Sequence, residues 1–167
     1  MTMSSSEHHL SAVQHDHDGC IADAIATAEQ LCRERGLRFT ALRRRVLELV
    51  WESHRPIGAY DILASLGGEN KSAAPPTVYR ALEFLIEAGL VHRLDSLNAF
   101  IGCSDPGRMH AGQFLICREC RTVTELGDAD IETLVETKAQ ARGFTAVRQI
   151  LEIEGLCKAC RSASLRA

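Results

Sequence analysis

No run of apolar residues in this chain approaches the roughly 18 needed to span a bilayer, which argues against a transmembrane helix. The first residues, Met1-Thr-Met-Ser-Ser-Ser-Glu-His-His, lack the basic-then-apolar order of a secretory signal, so a cytoplasmic protein without membrane attachment is expected. Nothing resembles a nucleophile elbow, a phosphate-binding loop or a pair of catalytic acids. The expectation is therefore a non-enzyme with no small-molecule substrate. Strong charge of either sign is missing too, the net being −3 over 167 residues. Lys and Arg are absent from residues 1–19, where Glu7, Asp16 and Asp18 account for the whole acidic excess. In the balanced remainder, Arg33, Arg35, Arg38, Arg43, Arg44 and Arg45 form a dense basic run, a local electrostatic footprint suited to nucleic acid.

What the chain does have is cysteine. Seven cysteines make an odd count, and in a cytoplasmic protein paired cysteines point to metal or redox chemistry rather than to a disulfide framework. Four of them lie as Cys117-Arg-Glu-Cys120 and Cys157-Lys-Ala-Cys160. Two intervening residues let one tight turn present both sulfurs to a single ion, and zinc takes four such ligands at about 2.3 Å in a tetrahedron. Two matched pairs, separated by enough chain for a helix and a strand, read as a closed structural zinc site. A thiol redox protein is the competing reading. Catalytic dithiols occur as one low-pKa pair at a helix start, whereas here two pairs complement each other.

Residues 1–19 are polar, Ser- and His-rich and aperiodic, and are expected to be a disordered tail. From Ile21 to about Arg35, apolar residues recur at three and four (Ile21, Ala24, Ile25, Ala28, Leu31, Cys32), giving an amphipathic helix that Gly36 stops. Thr40 caps a second helix with Leu42, Val46, Leu47, Val50 and Trp51 on its apolar face. A third short helix runs from Ala59 to about Leu66 and is closed by Gly67-Gly68. A fourth, with Pro76 in its first turn, runs to Gly89. In it Leu82, Leu85 and Ile86 face inward, while Thr77, Tyr79 and Arg80 can point outward. Leu90–Leu94, a turn at Asp95–Asn98 and Ala99–Cys103 carry a hairpin signal. Helices followed by a hairpin make residues 20–104 a winged helix-turn-helix, a DNA-binding design whose last helix enters the major groove by its N-terminal residues.

Residues 105–112 read as a linker. Beyond it, strands at Gln113–Ile116 and Arg121–Leu126 flank the first cysteine pair. Asp128 or Asp130 caps a helix carrying Ile131, Leu134, Val135 and Ala139, ended by Gly143, and Ala146–Ile153 alternates as a strand that delivers the second pair. The fold class is thus α+β, a winged helix followed by a β-β-α-β unit over residues 113–167 whose ends zinc ties together.

The segment Pro75-Pro76-Thr77-Val78-Tyr79-Arg80-Ala81-Leu82, the wing residues Val91-His92 and the two cysteine pairs resemble the ferric uptake regulator (Fur) family, over roughly residues 22–160. The resemblance implies a homodimeric, metal-dependent transcription regulator with an N-terminal winged helix and a C-terminal α/β dimerisation domain. In detail it is most similar to the zinc-responsive branch, whose regulatory ligands match His92, Cys103, His110 and Glu125 in this sequence. The neighbouring Arg108 and Met109 cannot replace His110, one being always cationic and the other too weak a donor.

Donor chemistry points the same way: one thiolate, two imidazoles and one carboxylate form a mixed set suited to Zn²⁺. Iron-sensing relatives carry a His-rich run before the first cysteine pair, where this chain has only Met109-His110-Ala-Gly-Gln-Phe. The resemblance therefore implies two zinc ions per chain, one structural and one regulatory. It also implies a zinc-loaded dimer that binds double-stranded operator DNA and represses zinc-uptake genes, with activation of other genes left open. The nearest alternative keeps the family and changes the cue to iron, manganese, nickel or peroxide. Without metal, the sensing ligands are expected to repel one another and hold the two halves apart. On the DNA side, Arg80 suits bidentate readout of guanine O6 and N7, and Tyr60 resembles a second family contact. Thr77 and Tyr79 would position the helix on phosphates, with Arg43, Arg44 and Arg45 adding nonspecific attraction.

Overall fold

The structure, a computed structural model, describes residues 17–52, 55–69, 74–107 and 110–164. Residues 1–16 of the expected disordered tail lie outside the described residues. Helix α1 (His17–Glu34) starts before the expected Ile21 and ends at Gly36, whose φ of +66° suits a residue without a side chain. Helix α2 (Ala41–Trp51) is capped as its sequence predicts, the Thr40 hydroxyl accepting the Arg43 N–H at 3.3 Å. Helix α3 (Ala59–Glu69) runs through Gly67-Gly68, which were expected to end it. Neither glycine takes a positive φ, and an interior glycine weakens a helix by about 1 kcal/mol rather than breaking it. Helix α4 (Pro75–Glu87) begins on its two prolines and stops at Gly89, φ +74°.

These four helices share one core. Ile25, Ala28 and Cys32 of α1 pack with Val46, Leu47 and Val50 of α2, Ile62 of α3, and Val78, Leu82 and Leu85 of α4. Each large aliphatic side chain so buried contributes about 1.5–3 kcal/mol, set against the entropy of ordering it.

Strands β1 (Val91–Leu94) and β2 (Ala99–Gly102) form the antiparallel wing, with His92 opposite Ile101 and Leu94 opposite Ala99. Ile57, not anticipated as a pairing residue, exchanges both backbone bonds with Phe100 at 2.9 and 2.8 Å and ties the wing to the helices. Because side chains alternate along a strand, the hairpin has two allegiances. Val91 and Phe100 join the helical core, while Leu94 and Ile101 join a second cluster with Phe114, Ile116 and Val123. His92 shares the face of Leu94 and Ile101, so strand alternation alone aims it at the C-terminal half.

That half is a three-stranded sheet in the order β4-β3-β5. Central β3 (Gly112–Cys117) pairs antiparallel with β4 (Val123–Glu125) and parallel with β5 (Ile150–Gly155). A parallel pair needs a long crossover, which α5 (Ala129–Gln140) supplies. Asp128 caps α5, its carboxylate accepting from the N–H groups of Asp130 and Ile131. The buried Gln113 amide braces that cap, donating to Asp128 O at 2.8 Å and accepting the Asp128 N–H at 3.0 Å. A short helix α6 (Lys158–Ser164), unforeseen from the sequence, carries Cys160.

Two expectations fail here for one reason, the lack of a partner. Residues 146–149 are not strand, since β3 offers pairing only from Gly112 opposite Ile150 to Cys117 opposite Gly155. The apolar face of α5 is not core: α5 buries no residue, and Leu134 and Val135 are 57% and 40% exposed. No helix among the described residues is long and apolar enough to cross a membrane.

Gly102 ends the wing against the Trp51 indole, and a Cβ there would lie inside the ring's van der Waals envelope. Gly102→Ala should therefore destabilise the winged helix by about 1–3 kcal/mol through overpacking. A lowered denaturant midpoint with an unchanged slope is the expected outcome.

Candidate metal centre and nucleic-acid face

The four residues proposed as sensing ligands come from four separate places in the fold. His92 lies on β1, Cys103 just after β2, His110 ahead of β3 and Glu125 at the end of β4. The structure brings all four together. The His110 Nε2 lies 2.8 Å from Glu125 Oε1 and 3.7 Å from Cys103 Sγ, and His92 Nε2 lies 3.3 Å from the same carboxylate oxygen. The donor atoms of His92, Cys103 and His110 fall within 4.8 Å of one another. The two imidazole rings meet edge to face at 5.1 Å between centroids.

Burial and charge define the chemistry. Glu125 is 13% exposed. Burial pushes its carboxyl up, but His92, Ser104 and His110 together outweigh that and bring it down to about 2. Cys103 is fully buried, and burial, reinforced by the Glu125 and Asp105 charges, pushes its thiol up to about 12 against the pull of the Asp105 backbone N–H. The Glu125 charge thus opposes ionisation of the Cys103 thiol, the mutual repulsion expected of these ligands, while the two imidazoles offset the charge on the glutamate. His92 Nε2 is buried without a well-aligned hydrogen bond, and a buried polar atom left so calls for a partner. A divalent ion between two imidazoles, a thiol that can ionise and a carboxylate would satisfy it, so the donor set fits zinc.

Two contributors escaped the sequence reading. Ser104 donates its hydroxyl to Glu125 Oε2 at 2.5 Å, holding the carboxylate from behind as ligand-orienting groups do. Gly112 leaves room beside His92: a Cβ there would fall 2.9 Å from the Phe114 ring and 3.5 Å from His92 Nδ1. The adjacency of Ser104 to Cys103 was its only signal.

The paired cysteines also converge, all four sulfurs lying within 4.8 Å of one another. Cys120 Sγ and Cys157 Sγ are 3.8 Å apart, and zinc–sulfur bonds of about 2.3 Å give a tetrahedral edge of about 3.8 Å. The Cys157 N–H, foremost, and that of Cys120 bring Cys117 down to about 6, while Cys157 and Cys120 crowd Cys160 and push it up to about 12. Four sulfurs gathered at this spacing, with no room for all four charges unless a cation offsets them, fit zinc as well.

Thr77, Tyr79 and Arg80 are exposed on the first turns of α4, as expected, and Tyr60 is 72% exposed at the start of α3. The three arginines expected to add general attraction each make contacts within the chain. Arg43 lies 3.5 Å over the Phe84 ring and donates to Arg38 O, Arg44 pairs with Glu29, and Arg45 reaches Glu48 and Glu52 at 3.1 and 2.9 Å.

A winged helix and a small sheet meeting at a buried His/Cys/carboxylate site, with a four-cysteine cluster beyond, define a class. The chain belongs to the Ferric uptake regulator family, which it matches over residues 34–154. Within that family it is 38% identical over 141 residues to the zinc uptake regulation protein of Escherichia coli (strain K12), covering 83% of this chain and 81% of that one. It is similar in structure to a zinc uptake regulator complexed with zinc and DNA, at 36% identity and a TM-score of 0.82, over 87% of this chain and 97% of the other. It resembles holo XcZur at 42% identity and a TM-score of 0.78, over 84% of this chain and 98% of that chain. Apo XcZur, at the same identity and with 84% and 97% covered, gives a TM-score of only 0.50. The chain's coordinates thus superpose better on the holo neighbour than on the apo one.

With Cys103 held near 12, metal uptake at the His92 site must displace a proton. Its apparent zinc affinity should therefore climb about tenfold per pH unit just above neutrality. A pH-independent affinity in chelator competition would contradict a thiolate ligand.

Proposed function

We propose that this chain is a zinc-responsive transcriptional regulator whose zinc-loaded homodimer binds operator DNA in the cytoplasm and represses zinc-uptake genes. The observation that carries this reading is a buried ligand set assembled from both halves, His92 from the wing and Glu125 from the C-terminal sheet, 3.3 Å apart. The thiol among its donors favours zinc over iron or manganese. Two zinc ions per chain are proposed, a permanent one at Cys117, Cys120, Cys157 and Cys160 and a responsive one at His92, Cys103, His110 and Glu125. The relatives' names, and the neighbour complexed with zinc and DNA, support the same reading.

The residues divide the work. His92 and Cys103 carry the wing, His110 the linker and Glu125 the sheet, so joining them fixes the angle between the halves. A bound zinc ion supplies a +2 charge that stabilises the Cys103 thiolate beside Glu125. The exposed apolar residues Leu134 and Val135 of α5 suit a second copy of the chain. In such a dimer the angle between halves sets the separation of the two α4 helices, which must match the groove repeat. Arg80 then reads base edges, Thr77, Tyr79 and Tyr60 position the helix, and Arg43, Arg44 and Arg45 shape the field around it rather than grip phosphates first. Operator DNA must in turn raise zinc affinity by the factor by which zinc raises DNA affinity.

Bound zinc and binding to a duplex enriched by the zinc-loaded wild type from a randomised pool test this reading. Cys103→Ala should remain a folded dimer, carry one zinc fewer per chain and lose zinc-dependent DNA binding. Cys117→Ala should lose the C-terminal fold, seen as reduced ellipticity and loss of the dimer. Normal zinc dependence in Cys103→Ala would show that the sensing site has been misassigned.

A further inference from the structure

The metal ligands are not the only link between wing and sheet. Glu152 lies on β5, and its carboxylate reaches the wing turn 56 and 57 residues away in sequence. Oε1 accepts the Asp95 N–H at 2.6 Å and Oε2 accepts the Ser96 N–H at 2.9 Å. Successive backbone N–H groups converging on one anion form a concavity that holds it well, and charge-assisted bonds of this kind are roughly twice as strong as neutral ones. The Asp95 carboxylate does not oppose the contact, being paired with Arg93 Nε at 2.9 Å. Glu152 stands opposite Phe114 in the β3–β5 register, and Phe114 belongs to the apolar cluster that receives Leu94 and Ile101 of the wing.

Besides its apolar packing through Leu94 and Ile101, the wing therefore meets the C-terminal half through polar groups at two points. Near its base are the ligands His92 and Cys103, and at its turn is Glu152. A hairpin held only at one end can pivot; held at both, it carries His92 into reach of Glu125 and His110. We propose that Glu152 is a positioning residue, a latch that docks the wing turn on the C-terminal sheet and thereby sets how much zinc the His92 site needs. The inference rests on the zinc-regulator reading above. Its direction follows from population shift: the apparent affinity is the intrinsic one scaled by the fraction of molecules in the docked arrangement. Removing the latch lowers that fraction, so zinc binds more weakly and DNA binding requires more zinc.

The test uses the full chain, wild type, Glu152→Ala and Glu152→Gln, with zinc as the probe and hydrogen exchange at individual amides as the second readout. In Glu152→Ala the Asp95 and Ser96 amides should exchange faster than in wild type. Zinc affinity at the His92 site should fall about tenfold, a typical coupling, with the four-cysteine zinc and helix content unchanged. Glu152→Gln, which keeps one carbonyl acceptor, should fall between the two, and it decides the matter if Glu152→Ala fails to fold. Unchanged exchange at both amides would overturn the contact. Faster exchange with zinc affinity within a factor of two of wild type would overturn the latch and leave a passive contact. Neither result would touch the regulator reading, which fails instead if wild type shows no zinc-dependent DNA binding.

Discussion

A buried carboxylate sits where the two halves of this protein meet. Glu125, at the end of β4, is largely withdrawn from water and is held by imidazoles from the wing and the linker and by the Ser104 hydroxyl. A buried carboxylate without such partners costs several kcal/mol, so the position of the wing against the sheet is tied to the electrostatics of this one side chain. The surrounding architecture serves that meeting. Ile57 fastens the wing to the helices, strand alternation turns His92 toward the sheet, and the amide of Gln113 fixes the start of α5.

The two metal clusters differ in ways their ligands explain. Cys117 is brought down to about 6 by the N–H groups of the facing turns, so that cluster presents a thiolate near neutral pH. Cys103 is pushed up to about 12 by burial and must surrender a proton before it can bind. The plainer difference is in the donors, four sulfurs from two tight turns at one site and a mixed nitrogen, sulfur and oxygen set drawn from wing, linker and sheet at the other. The wing and α4 share a core through Val91 and Phe100, so the placement of one fixes that of the other.

Much of this was legible in the sequence. The three- and four-residue apolar spacing of α1, α2 and α4, the hairpin turn and the paired cysteines are local signals, and the structure reproduces each of them. The resemblance marked His92, Cys103, His110 and Glu125, which the fold gathers. What was not legible depends on partners distant in sequence. Local pattern says that α5 has an apolar face, but not that its own sheet leaves that face open. It marks a hairpin, but not that Leu94 and Ile101 leave the helical core for the sheet. It counts arginines, but not that Arg43, Arg44 and Arg45 turn to Phe84, Glu29, Glu48 and Glu52. The roles of Ser104 and Glu152 were invisible because each acts through a single contact with another element.

The most direct test of this account is an anomalous-scattering map at the zinc edge from crystals of the zinc-loaded protein. Two peaks per chain are expected, one among Cys117, Cys120, Cys157 and Cys160 and one touching His92, Cys103, His110 and Glu125 together. A second peak ligated from only one half of the chain, or none in protein that still binds DNA in a zinc-dependent way, would contradict it.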